Sequence, residues 1–288
     1  FRITVVPIQV AYGDAVPPQA VADALKDHPK AKAVFTTLCE TSTGVVNDIQ
    51  AIAAITRKSP AVLVVDAISG FLADACRTDE WGIDVVVTGS QKGLMLPPGL
   101  AFISVNERAA ALVAQATCPR FYTDLRRYKQ SFADDDTPFT SAVSTVVALD
   151  EALKLILQQG VPQMIQRCAL MARATRAAAS ALGLPLFSKR PSNGVTAINV
   201  PGGVDGKQLT NVMYDRSRVL VAGGQGDMAG RIFRFAHMGF ISPEDVLAGV
   251  EALEAALAEL GYKFERGAGV KASQAALGRQ AAAAGAAK

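Results

Sequence analysis

The stretch IDVVVTGSQKGLMLPPG, residues 83–99, decides the fold. Its first half is a run of β-branched residues, the composition of a strand. The run is apolar on both alternating faces, which suits a parallel strand covered by helices on each side. Small polar residues, Thr88 to Gln91, then lead into Lys92, and Pro97-Pro98-Gly99 supplies a stiff turn. A long cationic side chain therefore stands where a buried strand ends. In open α/β sheets the carboxyl ends of the strands border the ligand crevice.

The flanking sequence repeats the pattern. ITVVPIQV (3–10), AKAVFTTL (31–38), AVLVVDAI (61–68) and LAFISVN (100–106) read as further strands. Between them, PPQAVADALKDHP (17–29) and IQAIAAITRK have helical spacing, the second with Asn47 or Asp48 as its N-cap. Alternation of strands and helices predicts an α/β architecture with a mostly parallel sheet. The second half changes character. SAVSTVVALDEALKLILQQG (141–160) and the segment 161–183 are long helices, followed by strand-like runs at 193–201, 218–224 and 231–239. A helix over 242–260 opens with Ser242 as N-cap and Pro243 in its first turn. We therefore divide the chain into a large domain (1–160), a small α+β domain (161–262) and an Ala/Gly-rich tail (263–288). From 266 on, the tail is expected to be loosely packed or disordered.

Bulk properties narrow the function. No apolar run approaches the ~20 residues of a membrane span, and FRITVVPIQVAYGD lacks the signal-peptide pattern. A net charge of +3 is too small to suggest nucleic acid. The four cysteines are scattered and there are only two histidines, so neither a disulfide framework nor a metal site is expected. A reducing cytoplasm is the default compartment.

Polar residues cluster at three strand ends: Glu40-Thr41-Ser42-Thr43, Asp66, and Thr88 to Lys92. Spacing alone leaves two readings of Asp66 and Lys92 open. One is a simple ion pair, since a buried carboxylate needs a partner. The other is a pyridoxal phosphate site, which needs a lysine to form a Schiff base and a carboxylate to hold the pyridinium nitrogen protonated.

Four motifs in this order, TLCETSTGV, VVDAISG, TGSQKGLMLPPGLAF and GRIFRFAHMG, resemble the class V pyridoxal-phosphate aminotransferases, nearest to the alanine–glyoxylate and serine–glyoxylate/pyruvate group. The resemblance covers roughly residues 1–262. It implies the type I PLP-transferase (aspartate-aminotransferase-like) fold, with a seven-stranded sheet and a small C-terminal domain. It implies Lys92 as the Schiff-base lysine, Asp66 as the pyridinium partner, Thr41 on the ring and Gln91 on the phosphate. Thr140, in TPFTSAV, resembles a threonine that reaches a phosphate across a homodimer interface. Arg234 resembles the arginine that grips the substrate α-carboxylate, a role that suits a planar guanidinium. The implied substrates are a small amino acid, alanine or serine, and glyoxylate or another small 2-oxo acid. The family pattern also includes an N-terminal segment ahead of 3–10, with a Gly-rich phosphate-binding turn and a ring-stacking aromatic. Neither is found here, so the expectation is a fragment or a truncation. A tyrosine that some relatives carry near Thr137 is missing too.

A lyase or cysteine desulfurase would use the same cofactor. Gln91 stands where desulfurases have a histidine, and no cysteine lies on a recognisable mobile loop. A truncated, non-catalytic relative that only dimerises is a further alternative. The glycines of VAGGQGDMAGR (221–231) precede a strand pattern, not the helix a dinucleotide fingerprint requires, so a hairpin loop is expected. RFYTDLRRYKQSF (120–132) reads as a solvated face. Cys118 and Cys168 lack an activating base, and His237 reads as a packed histidine.

Overall fold

The computed structural model describes residues 3–285. Its first half contains α1 (Pro18–Asp27), β1 (Ala33–Thr37), β2 (Cys39–Glu40), β3 (Val45–Val46), α2 (Ile49–Thr56), β4 (Val62–Asp66), α3 (Thr78–Trp81), β5 (Val85–Gly89) and β6 (Ala101–Val105). The second contains α4 (Glu107–Gln115), α5 (Leu125–Ala133), α6 (Val143–Gln159), α7 (Val161–Ala181), β7 (Val195–Asn199), α8 (Gly206–Ser217), β8 (Ala222–Gly223), β9 (Ile232–Ala236), α9 (Pro243–Glu259) and α10 (Ala268–Gly285).

One sheet has the order β1-β4-β5-β6. The first three strands are parallel and level: Thr37 pairs with Asp66, and Asp66 with Val87. Leu63 and Val65 are fully buried and pack with Val21 of α1 and with Ile49, Ile52 and Ala53 of α2. Each such side chain contributes ~1.5–3 kcal/mol of transfer free energy. Asp48 caps α2 by accepting from the Ala51 N–H at 3.1 Å. The α/β architecture is the expected one, and four strands of the sheet lie among the described residues. β6 runs antiparallel to β5. The segment between them, residues 90–100, holds no helix and is too short for a parallel crossover of a dozen or more residues.

The other sheet, β7-β9-β8, is antiparallel. Phe233 and Phe235 of β9 pack with Ile198, Leu209, Met213 and Leu253 against α8 and α9. A capping box starts α9: Ser242 Oγ accepts from Asp245 N–H, and Asp245 accepts from Ser242 N–H. Gly160, at φ +91°, turns α6 into α7.

Two expectations fail. Residues 3–10 form no strand, and Ile3 and Val5 are 73% and 77% exposed. Pro7 lacks the N–H a ladder needs, and no described strand lies beside the segment. The tail, expected to be loose, is the helix α10 over 268–285, packed on α7 and α9. Alanine is the strongest helix former. Glu254 of α9 also accepts the N–H groups of Gly267, Gly269 and Val270 at 2.6, 2.8 and 3.1 Å. That satisfies donors every helix start leaves open. Residues 286–288 lie outside the described residues.

A buried polar network ties the segment around β7 to the first sheet's loops. Ser192 donates to Asp74, and Asn193 N–H donates to the same carboxylate at 3.1 Å. Arg176 of α7 reaches the Ser192 carbonyl and Thr196 Oγ1, and Thr196 Oγ1 lies 2.9 Å from His237 Nε2. Burial first, and the Arg176 charge second, push His237 down to about 3 from 6.5. The unfolded chain binds a proton there below about 6.5 that the folded chain refuses, so stability falls as pH drops from 6.5 toward 3. The loss is up to ~1.4 kcal/mol per pH unit. Urea midpoints should drop between neutral pH and about pH 5, and His237→Gln should flatten that slope. An unchanged slope in the variant would place the sensitivity elsewhere.

Candidate active site

The strand ends build a cleft of about 310 Å³, lined by Thr37, Cys39, Glu40, Thr41, Asp66, Ile68, Ser69 and Lys92. Lys92, Asp66 and Thr41, singled out from sequence, meet here. Asp66 is the last residue of β4, and its Oδ1 accepts the Ile68 N–H at 2.8 Å. Among the described residues no ion pair joins it to Lys92. The simple ion-pair reading therefore has no support, and both charges are left to the cleft.

The lysine turn is anchored from beneath. Ser90, fully buried, donates to the Pro97 carbonyl at 2.7 Å, and its Oγ accepts from Leu100 N–H at 3.2 Å. Leu94 and Leu96 sink into a cluster with Leu72, Ile156 and Met164. Pro97 and Pro98 are exposed, and Ser90, one of the polar residues noted at the strand end, is the residue that holds the turn from beneath. Gly93 sits so close to the chain that a Cβ there would lie 2.2 Å from the Phe71 carbonyl oxygen. Gly93→Ala should therefore shift the lysine turn and cost about 1–3 kcal/mol of stability, the range for overpacking. A thermal melt checks this, and an unaltered melting temperature would contradict it.

Thr41 lies in the β2–β3 turn, which docks on the segment before β7. Ser192 N–H donates to the Gly44 carbonyl at 2.9 Å, and Val46 N–H to the Arg190 carbonyl at 2.9 Å. Gly44 has φ +69°, and a Cβ there would lie 3.2 Å from backbone atoms of Val195 and Ala197. Glu40 holds the turn by accepting from Ser42 N–H at 3.0 Å and Ser42 Oγ at 2.6 Å. Cys39 lines the cleft too, but burial pushes its thiol up to about 12, so it is no nucleophile.

Arg234, whose face the sequence left undecided, is 7% exposed and points away from its phenylalanine neighbours' core. Nε and Nη2 donate to the Gly223 carbonyl at 3.1 and 2.8 Å, and Nη1 to the Thr41 carbonyl at 2.8 Å. Burial lowers its pKa and the nearby Glu40 charge raises it. Three of its five donors are used; Arg234 does not itself line the cleft and is tied to it through the Thr41 carbonyl. Gln91 is exposed and does not line the cleft. Thr140 is exposed in the segment before α6 and does not line it either. Ser69, overlooked in the sequence, does; only its place three residues after Asp66 hinted at it.

The donor set fits pyridoxal phosphate: an amine for its aldehyde, a carboxylate for its ring nitrogen and hydroxyls for its ring oxygen. Residues 2–233 match the family model described as aminotransferase class-V. The chain belongs to the class-V aminotransferases. Members of this family are pyridoxal-phosphate-dependent enzymes. The chain is 42% identical over 280 residues to the "soluble hydrogenase, small subunit" of Synechococcus sp. (strain PCC 6716), covering 95% of itself and 72% of that relative. It is 35% identical over 275 residues to the L-aspartate–glyoxylate aminotransferase of Paracoccus denitrificans (strain Pd 1222), covering 93% and 69%. Its structure matches that of pyridoxamine–pyruvate aminotransferase from Mesorhizobium loti with a TM-score of 0.90 at 35% identity, covering 95% and 71%. This class-V aminotransferase thus has the type I fold expected for it. None of its described helices is long and apolar enough to cross a membrane. No three metal-ligating side chains cluster among the described residues.

Proposed function

We propose that the protein transfers the amino group of a small amino acid, alanine or serine, to glyoxylate or another small 2-oxo acid, with Lys92 as the catalytic lysine. The observation that carries this reading is the meeting of Lys92, Asp66 and Thr41 in one cleft at the carboxyl ends of parallel strands. Lys92 Nζ would hold the cofactor through its aldehyde, and the same amine is placed to carry the donor's α-proton. Asp66 would accept the ring N–H and keep that nitrogen protonated. When bound, the cofactor supplies the electron sink for the donor's α-carbon. Thr41 touches the ring, and Gln91 and Thr140 serve the phosphate. Arg234 grips the α-carboxylate through its two spare N–H groups.

The cleft itself favours a small uncharged donor. Its lining holds one cation, Lys92. A dicarboxylic donor would need a second cationic partner beyond Arg234 for its side chain. The glyoxylate acceptor is supported by the Paracoccus relative. Thr140 would act across a homodimer interface. In keeping with that, α6 exposes Val143, Val147, Leu155 and Leu157 at 67%, 64%, 55% and 74%, an apolar surface of the kind that marks an interface. We assign residues 1–160 to the cofactor-binding domain and 161–262 to the small domain, with the cytoplasm as compartment. A panel of amino donors against glyoxylate and pyruvate tests the reading. Alanine or serine should give the highest kcat/KM, and preference for aspartate would overturn the donor assignment.

A further inference from the structure

The roles above give Thr41 the ring but leave Ser69, its hydroxyl partner in the cleft, without a task. Thr41 Oγ1 and Ser69 Oγ lie 2.5 Å apart, at the short end for two hydroxyls. Both line the cleft, and Ser69 is 5% exposed. Ser69 belongs to the loop after β4, whose start is fixed by the Ile68 N–H bond to Asp66. Its carbonyl is wedged against Gly194, where a Cβ would lie 2.6 Å away. Thr41 is thus held at two points: its carbonyl by Arg234 and its hydroxyl by Ser69.

Two hydroxyls carry two protons. One lies between the oxygens whichever group donates. The other has no protein acceptor among the described residues and is left for the contents of the cleft. A threonine hydroxyl without this tie is free to rotate to suit any neighbour. We infer that Ser69 is a positioning residue: with the cleft filled, its O–H donates to Thr41 Oγ1, so that the Thr41 O–H is the one directed at an oxyanion of the bound ligand. That oxyanion is the cofactor's ring oxygen or the substrate carboxylate. The inference rests on the reading of this cleft as the cofactor site.

A double-mutant cycle on the full chain tests it, using Thr41→Val, Ser69→Ala and the double variant, each checked for folding by circular dichroism. Three quantities are read: cofactor affinity without substrate, the pH midpoint of the bound cofactor's visible band, and donor KM. Ser69→Ala should weaken cofactor affinity or raise KM by several-fold to about tenfold, the worth of one hydrogen bond. It should add nothing in the Thr41→Val background, because Ser69 acts through Thr41. Ser69→Thr should restore the lost part. A change in affinity or band midpoint without substrate assigns the bond to the ring oxygen; a change in KM alone assigns it to the carboxylate. Both support the inference. No change in Ser69→Ala, or equal losses in both backgrounds, would overturn it. Should Ser69→Ala not fold, Ser69→Cys carries the same cycle. No visible band in the wild-type chain would sink the cleft reading and this inference with it. A normal wild-type band with insensitive variants sinks this inference alone.

Discussion

Lys92→Ala should leave a folded protein that binds no cofactor covalently and has lost at least roughly 10²–10⁴-fold in transamination, the contribution of proton transfer alone. The side chain is half-buried, and among the described residues no ion pair of the fold uses it. What anchors the turn is Ser90 beneath it and Leu94 and Leu96 beyond it, and these are untouched by the substitution. The melting temperature should therefore stay near the wild-type value while the visible cofactor band disappears. Kinetics and a melt, run on the same preparation, separate the two effects. A variant that retains both band and turnover would remove Lys92 from the mechanism.

Arg234→Lys should lower kcat/KM by at least about a hundredfold, mainly through KM. Hydrogen bonds to charged groups are worth about 1.5–3 kcal/mol each, and two of them would be lost at the substrate carboxylate. Lysine keeps the charge but not the planar fork that reaches the Gly223 and Thr41 carbonyls together. The tie between β9 and the Thr41 turn would loosen too, so the melting temperature should fall as well. Steady-state kinetics beside a thermal melt decide the matter. A lower melting temperature with unchanged KM would make Arg234 a structural brace only.

Much of the site was legible because the strands that carry it are short runs of β-branched residues, buried on one face and largely half-buried on the other. Runs such as VLVVD and VVVTG can be little else, and their polar residues fall at the ends. Level pairing of Thr37, Asp66 and Val87 then brings those ends together. What the sequence hid depends on contacts between distant segments. The face of Arg234 is fixed by Thr41, 193 positions away. The Ser192–Asp74 bond spans 118 positions, and no local pattern signals it. The helix α10 was misread because an Ala/Gly-rich composition looks alike in a loose tail and in a helix that packs closely. Its decisive partner, Glu254, sits on another helix. The antiparallel turn of β6 follows from connection length, which the sequence did contain.

The central claim is that Lys92 is the residue that carries the cofactor. Reduction of the cofactor-loaded protein with sodium borohydride makes a lysine–cofactor link permanent, and peptide mass mapping then locates it. The account predicts the added mass on the peptide containing Lys92 and on no other. An adduct on a different lysine, or none in a protein that otherwise transaminates, would contradict it.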